Sequence, residues 1–198
     1  MVVVTCVYEG ASDEVKRQEE KLTILAQKYG GMSGGADNGK YGYRLTFAIA
    51  YLRDLGLDYS VVGESFETSI PWDKVIPMCN NVKEVIRREG KANGLTLPLL
   101  ATCRVTQIYD SGACVYFYYA FNYRGISDPI QLCDRIEKAA RDEIIACGGC
   151  ISHHHGIGKL RKHWYPESVS DCGLSTLRAI KEGLDPLVCT IFPFSVLK

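Results

Sequence analysis

The pattern of apolar and polar positions divides this chain into short segments of two periods. Residues 2–8 form an almost unbroken apolar run, which predicts a buried strand. Gly10 and Ser12 then open a helix whose stripe is Val15, Leu22, Leu25 and Ala26, and Gly30-Gly31 stops it. Residues 30–38 carry four glycines and predict a loop. Leu45, Phe47, Ile49, Ala50 and Leu52 make a second apolar segment; its period is ambiguous, but its length favours a helix ending at Gly56. A short strand is predicted over residues 58–63. Pro71 suits a helix start, and Trp72, Val75, Ile76, Cys79, Val82, Val85 and Ile86 carry a helical stripe as far as Gly90.

The second half opens with two strands, 99–109 and 113–123, separated by the hairpin signal Asp110-Ser111-Gly112. Asp128-Pro129 starts a strong helix to about Cys147, and Gly148-Gly149 breaks it. Cys150-Ile151-Ser152 is strand-like, and a last helix spans roughly residues 168–183 before Asp185-Pro186. A hairpin with helices segregated between strands predicts an α+β fold, an antiparallel sheet with helices packed on one face. Residues 1–186 read as one domain and 187–198 as a divergent tail. The chain enters directly into a strand-like run, so it is expected to be a piece of a larger protein.

Composition narrows the class. The 198 residues hold 23 basic and 23 acidic side chains and 46% hydrophobic residues, an ordinary globular balance with no sign of a nucleic-acid partner. Nine cysteines are spread over the chain, and residues 1–4 are too short for a signal peptide's apolar region, so the cysteines read as reduced intracellular thiols. No apolar run approaches the ~20 residues of a membrane helix.

Candidate chemistry centres on His153-His154-His155. On a strand, His153 and His155 share a face; in a tight turn all three converge, and such a cluster can move protons or stabilise negative charge. Gly156-Ile157-Gly158-Lys159-Leu160-Arg161-Lys162 follows, three cations within one turn that suit an anion, although a basic turn is more often a solvated surface. Cys147 and Cys150 form a CxxC that, with a histidine, would suit zinc; a buried thiol is the simpler reading. Alternation in the aromatic strand 113–123 places Val115, Phe117, Tyr119 and Phe121 on a core face. Cys114, Tyr116, Tyr118 and Asn122 fall on a semi-polar face, where they either pack or line a pocket. Arg53 closes the apolar stretch 48–52 and requires an anionic partner if buried, either Asp54 or a substrate anion.

Several longer motifs carry a resemblance. Residues 152–162 (SHHHGIGKLRK), 63–69 with Pro71-Trp72-Asp73, Thr102-Cys103-Arg104-Val105-Thr106-Gln107 and 121–129 (FNYRGISDP) resemble the C-terminal half of the alkyldihydroxyacetonephosphate (alkylglycerone-phosphate) synthases, over about residues 4–186. The resemblance implies a peroxisomal flavoenzyme of the vanillyl-alcohol-oxidase type, with an FAD domain followed by a substrate-bearing cap domain. The activity implied is exchange of the acyl chain of acyl-dihydroxyacetone phosphate for a fatty alcohol in ether-lipid synthesis. FAD works there without net redox change, through a covalent adduct. Position by position, Tyr116 matches the catalytic acid/base and His153, His154 and His155 the required histidines. Arg53 matches the substrate-binding arginine, and Ser65 and Cys114 match pocket positions. A homodimeric whole enzyme peripherally attached to a membrane is also implied. The FAD domain is absent from this sequence, and residues 187–198 depart from the family, so the chain alone is expected to be inactive. Two other readings remain open: a cap domain of an FAD-linked 2-hydroxy-acid oxidoreductase, and a non-catalytic zinc or interaction module built on Cys147 and Cys150.

Overall fold

A computed structural model describes residues 2–187, and the chain divides into two units, Met1–Leu55 and Gly56–Lys198. All of the predicted tail but Leu187 lies outside the described residues.

In the first unit the strand predicted for residues 2–8 does not form. Val2, Val3 and Val4 are exposed, and no neighbouring strand pairs with their backbone groups, without which an apolar run has no ladder to join. Helix α1 spans Ser12–Lys28, with Asp13 and Glu14 in its first turn and Lys28 in its last, matching the helix dipole. Helix α2 spans Gly35–Asp58 and starts inside the predicted glycine loop, with Asn38 donating its side-chain N–H to the Gly34 carbonyl at 2.6 Å. Neither helix buries a residue.

The second unit is built on a three-stranded antiparallel sheet, order β1-β3-β2, from β1 (Val61–Pro71), β2 (Leu100–Ile108) and β3 (Gly112–Asn122). Strand β1 is much longer than predicted and runs through the polar stretch to Pro71. Its Phe66 and Ile70 point into the core, while Ser65, Glu67 and Ser69 stand opposite Tyr118, Tyr116 and Cys114 of β3. The β2–β3 turn is fixed by Gly112: a Cβ there would sit 2.3 Å from the Ile70 carbonyl oxygen, so only glycine fits.

Helices α3 (Val75–Ala92) and α4 (Pro129–Ala146) cover one face of this sheet. A short 3₁₀ turn, Trp72–Lys74, leads into α3. Helix α4 starts as its sequence dictates: the Asp128 carboxylate accepts the Gln131 N–H at 2.9 Å, with Pro129 in the first turn. Met78, Val82 and Ile86 of α3 and Leu132, Ile136, Ala140 and Ile144 of α4 meet Phe66, Val115, Phe117, Tyr119 and Phe121 in one core. The observed fold is thus the predicted α+β arrangement.

Residues 150–152 are not a strand. Their backbone makes one ladder-type bond to the edge strand, from the Cys150 N–H to the Ser69 carbonyl at 3.0 Å, before the chain turns away into the histidines. One short helix and one long helix close the described chain. They are α5 (Gly158–Arg161) and α6 (Tyr165–Leu184), the latter kinked at Ser170.

Candidate active site

The face of the sheet opposite α3 and α4 is polar. Alternation on β3 sends Tyr116 and Tyr118 to this side, their rings stacked 5.8 Å apart. The residues flanking Tyr116 across the sheet are Glu67 on β1 and Arg104 on β2. Because β1 is an edge strand, the segment after α4 can fold over its rim and place side chains above this face.

That return is tightly determined. Gly149 passes so close to α4 that a Cβ would lie 2.8 Å from the Ile144 side chain and 3.1 Å from the Thr68 hydroxyl. Thr68 donates its hydroxyl to the Cys150 carbonyl at 2.6 Å. The fully buried Arg141 ties strand to turn: one guanidinium nitrogen donates to the carbonyls of Glu67 (2.8 Å) and Ile151 (2.9 Å), while the group lies over the Phe66 ring. Arg141 Nη2 also pairs with Glu137 at 3.4 Å.

Beyond Ile151 the backbone wraps around the Glu67 carboxylate. Glu67 has no exposed surface, yet its oxygens accept the Ser152 hydroxyl (2.6 Å) and the backbone N–H groups of His153 (2.6 Å), His155 (3.0 Å) and His154 (3.4 Å). Burial pushes its pKa up, but these donors outweigh that and hold it at about 2. Glu67 is the functional residue that sequence reasoning missed. A glutamate on a polar-looking strand reads as solvated, and its partners lie 85 to 88 positions away.

The turn makes the three imidazoles converge. Tyr116 Oη lies 2.8 Å from His154 Nε2 and 2.7 Å from His155 Nε2. His153 Nδ1 meets His154 Nδ1 at 2.8 Å, and His153 Nε2 meets the Tyr109 hydroxyl at 2.8 Å. Burial, then Tyr118 and Glu67, raise the Tyr116 pKa against the opposing Arg104, so the phenol is protonated at neutral pH. Burial lowers the His155 pKa, with the facing Glu67 working in the other direction, so that imidazole is neutral. A phenol hydrogen-bonded to two imidazole nitrogens is arranged to release and regain a proton.

The other predicted residues fall in different places. Ser65 is exposed on the same face, opposite Tyr118, whereas Cys114, on that face opposite Ser69, is fully buried. Arg53 belongs to the first unit; its side chain is mostly exposed, 3.9 Å from Asp54. The basic turn does not act as one unit: Arg161 is buried, donating to the Gly156 carbonyl at 2.9 Å and facing Glu137, while Lys159 and Lys162 are exposed. The CxxC thiols have separate partners. Cys150 Sγ sits 3.1 Å from the Ser69 N–H, and Cys147 Sγ 3.4 Å from Glu143. Among the described residues, the donors close enough to share an ion are Glu67, Cys114, His153 and His154; that group leaves out both CxxC cysteines, and its carboxylate is already occupied by N–H and O–H donors.

Comparison with known proteins places the chain in a family. The chain is 63% identical over 182 residues to the alkyldihydroxyacetonephosphate synthase of Caenorhabditis elegans, covering 92% of this chain and 30% of that protein. It is 24% identical over 179 residues to the synthase of the same name from Dictyostelium discoideum, covering 90% of this chain and 29% of that one. A solved structure of an alkyldihydroxyacetonephosphate synthase superposes with a TM-score of 0.63 at 21% identity, over 90% of this chain and 29% of that chain, and shares its fold. The chain thus spans about 30% of the length of the curated relatives it matches. The profile of the family described as FAD linked oxidases, C-terminal domain, matches residues 2–188, and the chain belongs to that family.

Proposed function

We propose that this chain is the acid–base and substrate-facing part of an alkyldihydroxyacetonephosphate synthase, which exchanges the acyl chain of acyl-dihydroxyacetone phosphate for a fatty alcohol. The observation that carries the reading is the Tyr116 hydroxyl held between His154 and His155 on an open sheet face. Tyr116 is the group that takes a proton from, and returns it to, the reacting carbon of the substrate. The histidines keep its oxygen hydrogen-bonded in both protonation states, which lowers the cost of charge developing there. Ser65 and the buried Cys114 belong to the same face, and Arg53 is the substrate-orienting cation.

Membership of the family implies FAD. The edge formed by Tyr116, His154 and His155 offers phenol and imidazole donors and acceptors, which suit contact with a heteroaromatic ring edge. The flavin, when bound, supplies an electrophilic ring, and it is held mainly outside this chain. The reaction is therefore a property of the whole protein, and the chain by itself is inactive. Peroxisomal residence, peripheral membrane association and a homodimeric whole protein belong to the same proposal and rest on the resemblance alone. Among the described residues no helix is long and apolar enough to cross a membrane.

The test is to supply the whole protein with acyl-dihydroxyacetone phosphate and a labelled fatty alcohol. The expected products are the labelled alkyl ether and one free fatty acid per turnover. Absence of the ether, or oxidation of a 2-hydroxy acid with net flavin reduction instead, overturns the proposal.

A further inference from the structure

The contacts around the histidine turn form one unbroken sequence of polar groups: Tyr109, His153, His154, Tyr116, His155, Glu67. Four links are hydrogen bonds, from Tyr109 Oη to His153 Nε2, His153 Nδ1 to His154 Nδ1, His154 Nε2 to Tyr116 Oη, and Tyr116 Oη to His155 Nε2. The fifth is longer: His155 Nδ1 lies 3.7 Å from Glu67 Oε1, too far for a hydrogen bond but close enough for charge to act. Every link needs one proton, and each neutral imidazole or phenol has one to give.

An ionised carboxylate only accepts, so Glu67 favours a proton on the facing His155 Nδ1. His155 Nε2 is then bare and must accept from Tyr116. The Tyr116 oxygen, having donated, must accept from His154 Nε2–H. That leaves His154 Nδ1 bare, to accept from His153 Nδ1–H, and His153 Nε2 accepts from Tyr109. One charge at the buried end therefore orders every proton in the series. The outer end, at Tyr109 and His153, lines a cleft of ≈ 590 Å³ with Ser69, Pro71, Gly149 and Cys150.

We propose that Glu67 is the positioning residue of this site: it folds the histidine turn through its backbone N–H groups and fixes the proton positions of all three imidazoles, so that Tyr116 always points its proton at His155. Before Tyr116 acts as a base, its own O–H bond breaks and that proton bonds to His155 Nε2; the phenolate left behind, still holding the hydrogen bond from His154 Nε2–H, is the group that bonds the substrate's proton, whose electron pair stays on the substrate carbon. The imidazolium formed lies beside Glu67, so charge is conserved and opposed by a fixed anion, as the acid does for the imidazole in a Ser-His-Asp triad. The positive charges of Arg141 and Arg161 oppose protonation of His155. The inference rests on Tyr116 as the proton-handling group, but its test uses no turnover, so its failure leaves the alkyl-exchange reading standing, and the reverse holds too.

The experiment is long-range ¹H–¹⁵N NMR of the histidine rings in the 198-residue chain at neutral pH. The expected pattern is alternating: the proton on Nδ1 in His153, on Nε2 in His154 and on Nδ1 in His155. The opposite alternation, or tautomer averaging at all three rings, overturns the proposal. In Glu67→Gln the fixed pattern is expected to be lost; its persistence in the folded variant overturns the proposal. Tyr109→Phe, a change at the exposed outer end, is expected to leave all three tautomers as they are, because the order is imposed from the other end. Scrambling by that variant overturns it as well, whether or not Glu67→Gln folds.

Discussion

The two faces of the sheet are made by alternate residues of one strand, and they have opposite chemistry. On β3, Phe117 and Tyr119 are sealed under α3 and α4, with the Tyr119 hydroxyl donating to the Cys133 carbonyl at 3.3 Å. Tyr116, one position before Phe117, faces outward between two histidines. Burial raises the pKa of both phenols, Tyr119 far more. The same side chain is a structural strut on one face and, in the function we propose, a proton carrier on the other. What separates them is the partner: a single backbone carbonyl in the first case, a pair of imidazoles in the second.

This contrast can be broken from the core side first. Phe117→Ala removes a buried ring stacked at 5.5 Å on Phe66 and is expected to cost about 3–5 kcal/mol in urea unfolding, the largest effect considered. Arg141→Met acts on the connection between the faces. It strands the carbonyls of Glu67 and Ile151 and is expected to cost about 3–4 kcal/mol. It also frees the histidine turn, seen as loss of backbone amide protection at 153–155.

The third prediction concerns pH. The Glu67 pKa is depressed on folding from 4.5 to about 2, so its contribution is fully present above pH 4.5 and is lost as pH falls towards about 2. The magnitude is about 3 kcal/mol in unfolding free energy across that window, and the slope is expected to flatten in Glu67→Gln. At the small end, Arg53→Ala changes an exposed residue beside Asp54 and is expected to shift stability by no more than about 0.5 kcal/mol. A larger loss would show that Arg53 carries structure.

How far the sequence predicted this division follows from the range of the forces. The Asp128-Pro129 helix start, the Asp110–Gly112 turn and the core face of β3 are local patterns, and each appears as expected. The run 2–8 fails because an apolar strand needs a neighbour to pair with, which no local pattern supplies. Strand β1 extends to Pro71 because Glu67 and Ser69 meet partners on β3 and in the histidine turn rather than water. The histidines were conspicuous by their run. Glu67 and Arg141, which hold them, act through backbone groups, 86 to 88 residues away for Glu67 and 10 and 74 residues away for Arg141, and leave no sequence signal.

One paired measurement tests the working face most directly: acyl-for-alkyl exchange and unfolding free energy, in the whole protein, for Tyr116→Phe and Tyr119→Phe. The account predicts that Tyr116→Phe abolishes exchange with stability within about 1 kcal/mol of native, while Tyr119→Phe loses about 1 kcal/mol with its hydrogen bond and retains exchange. Near-native exchange by Tyr116→Phe would contradict it.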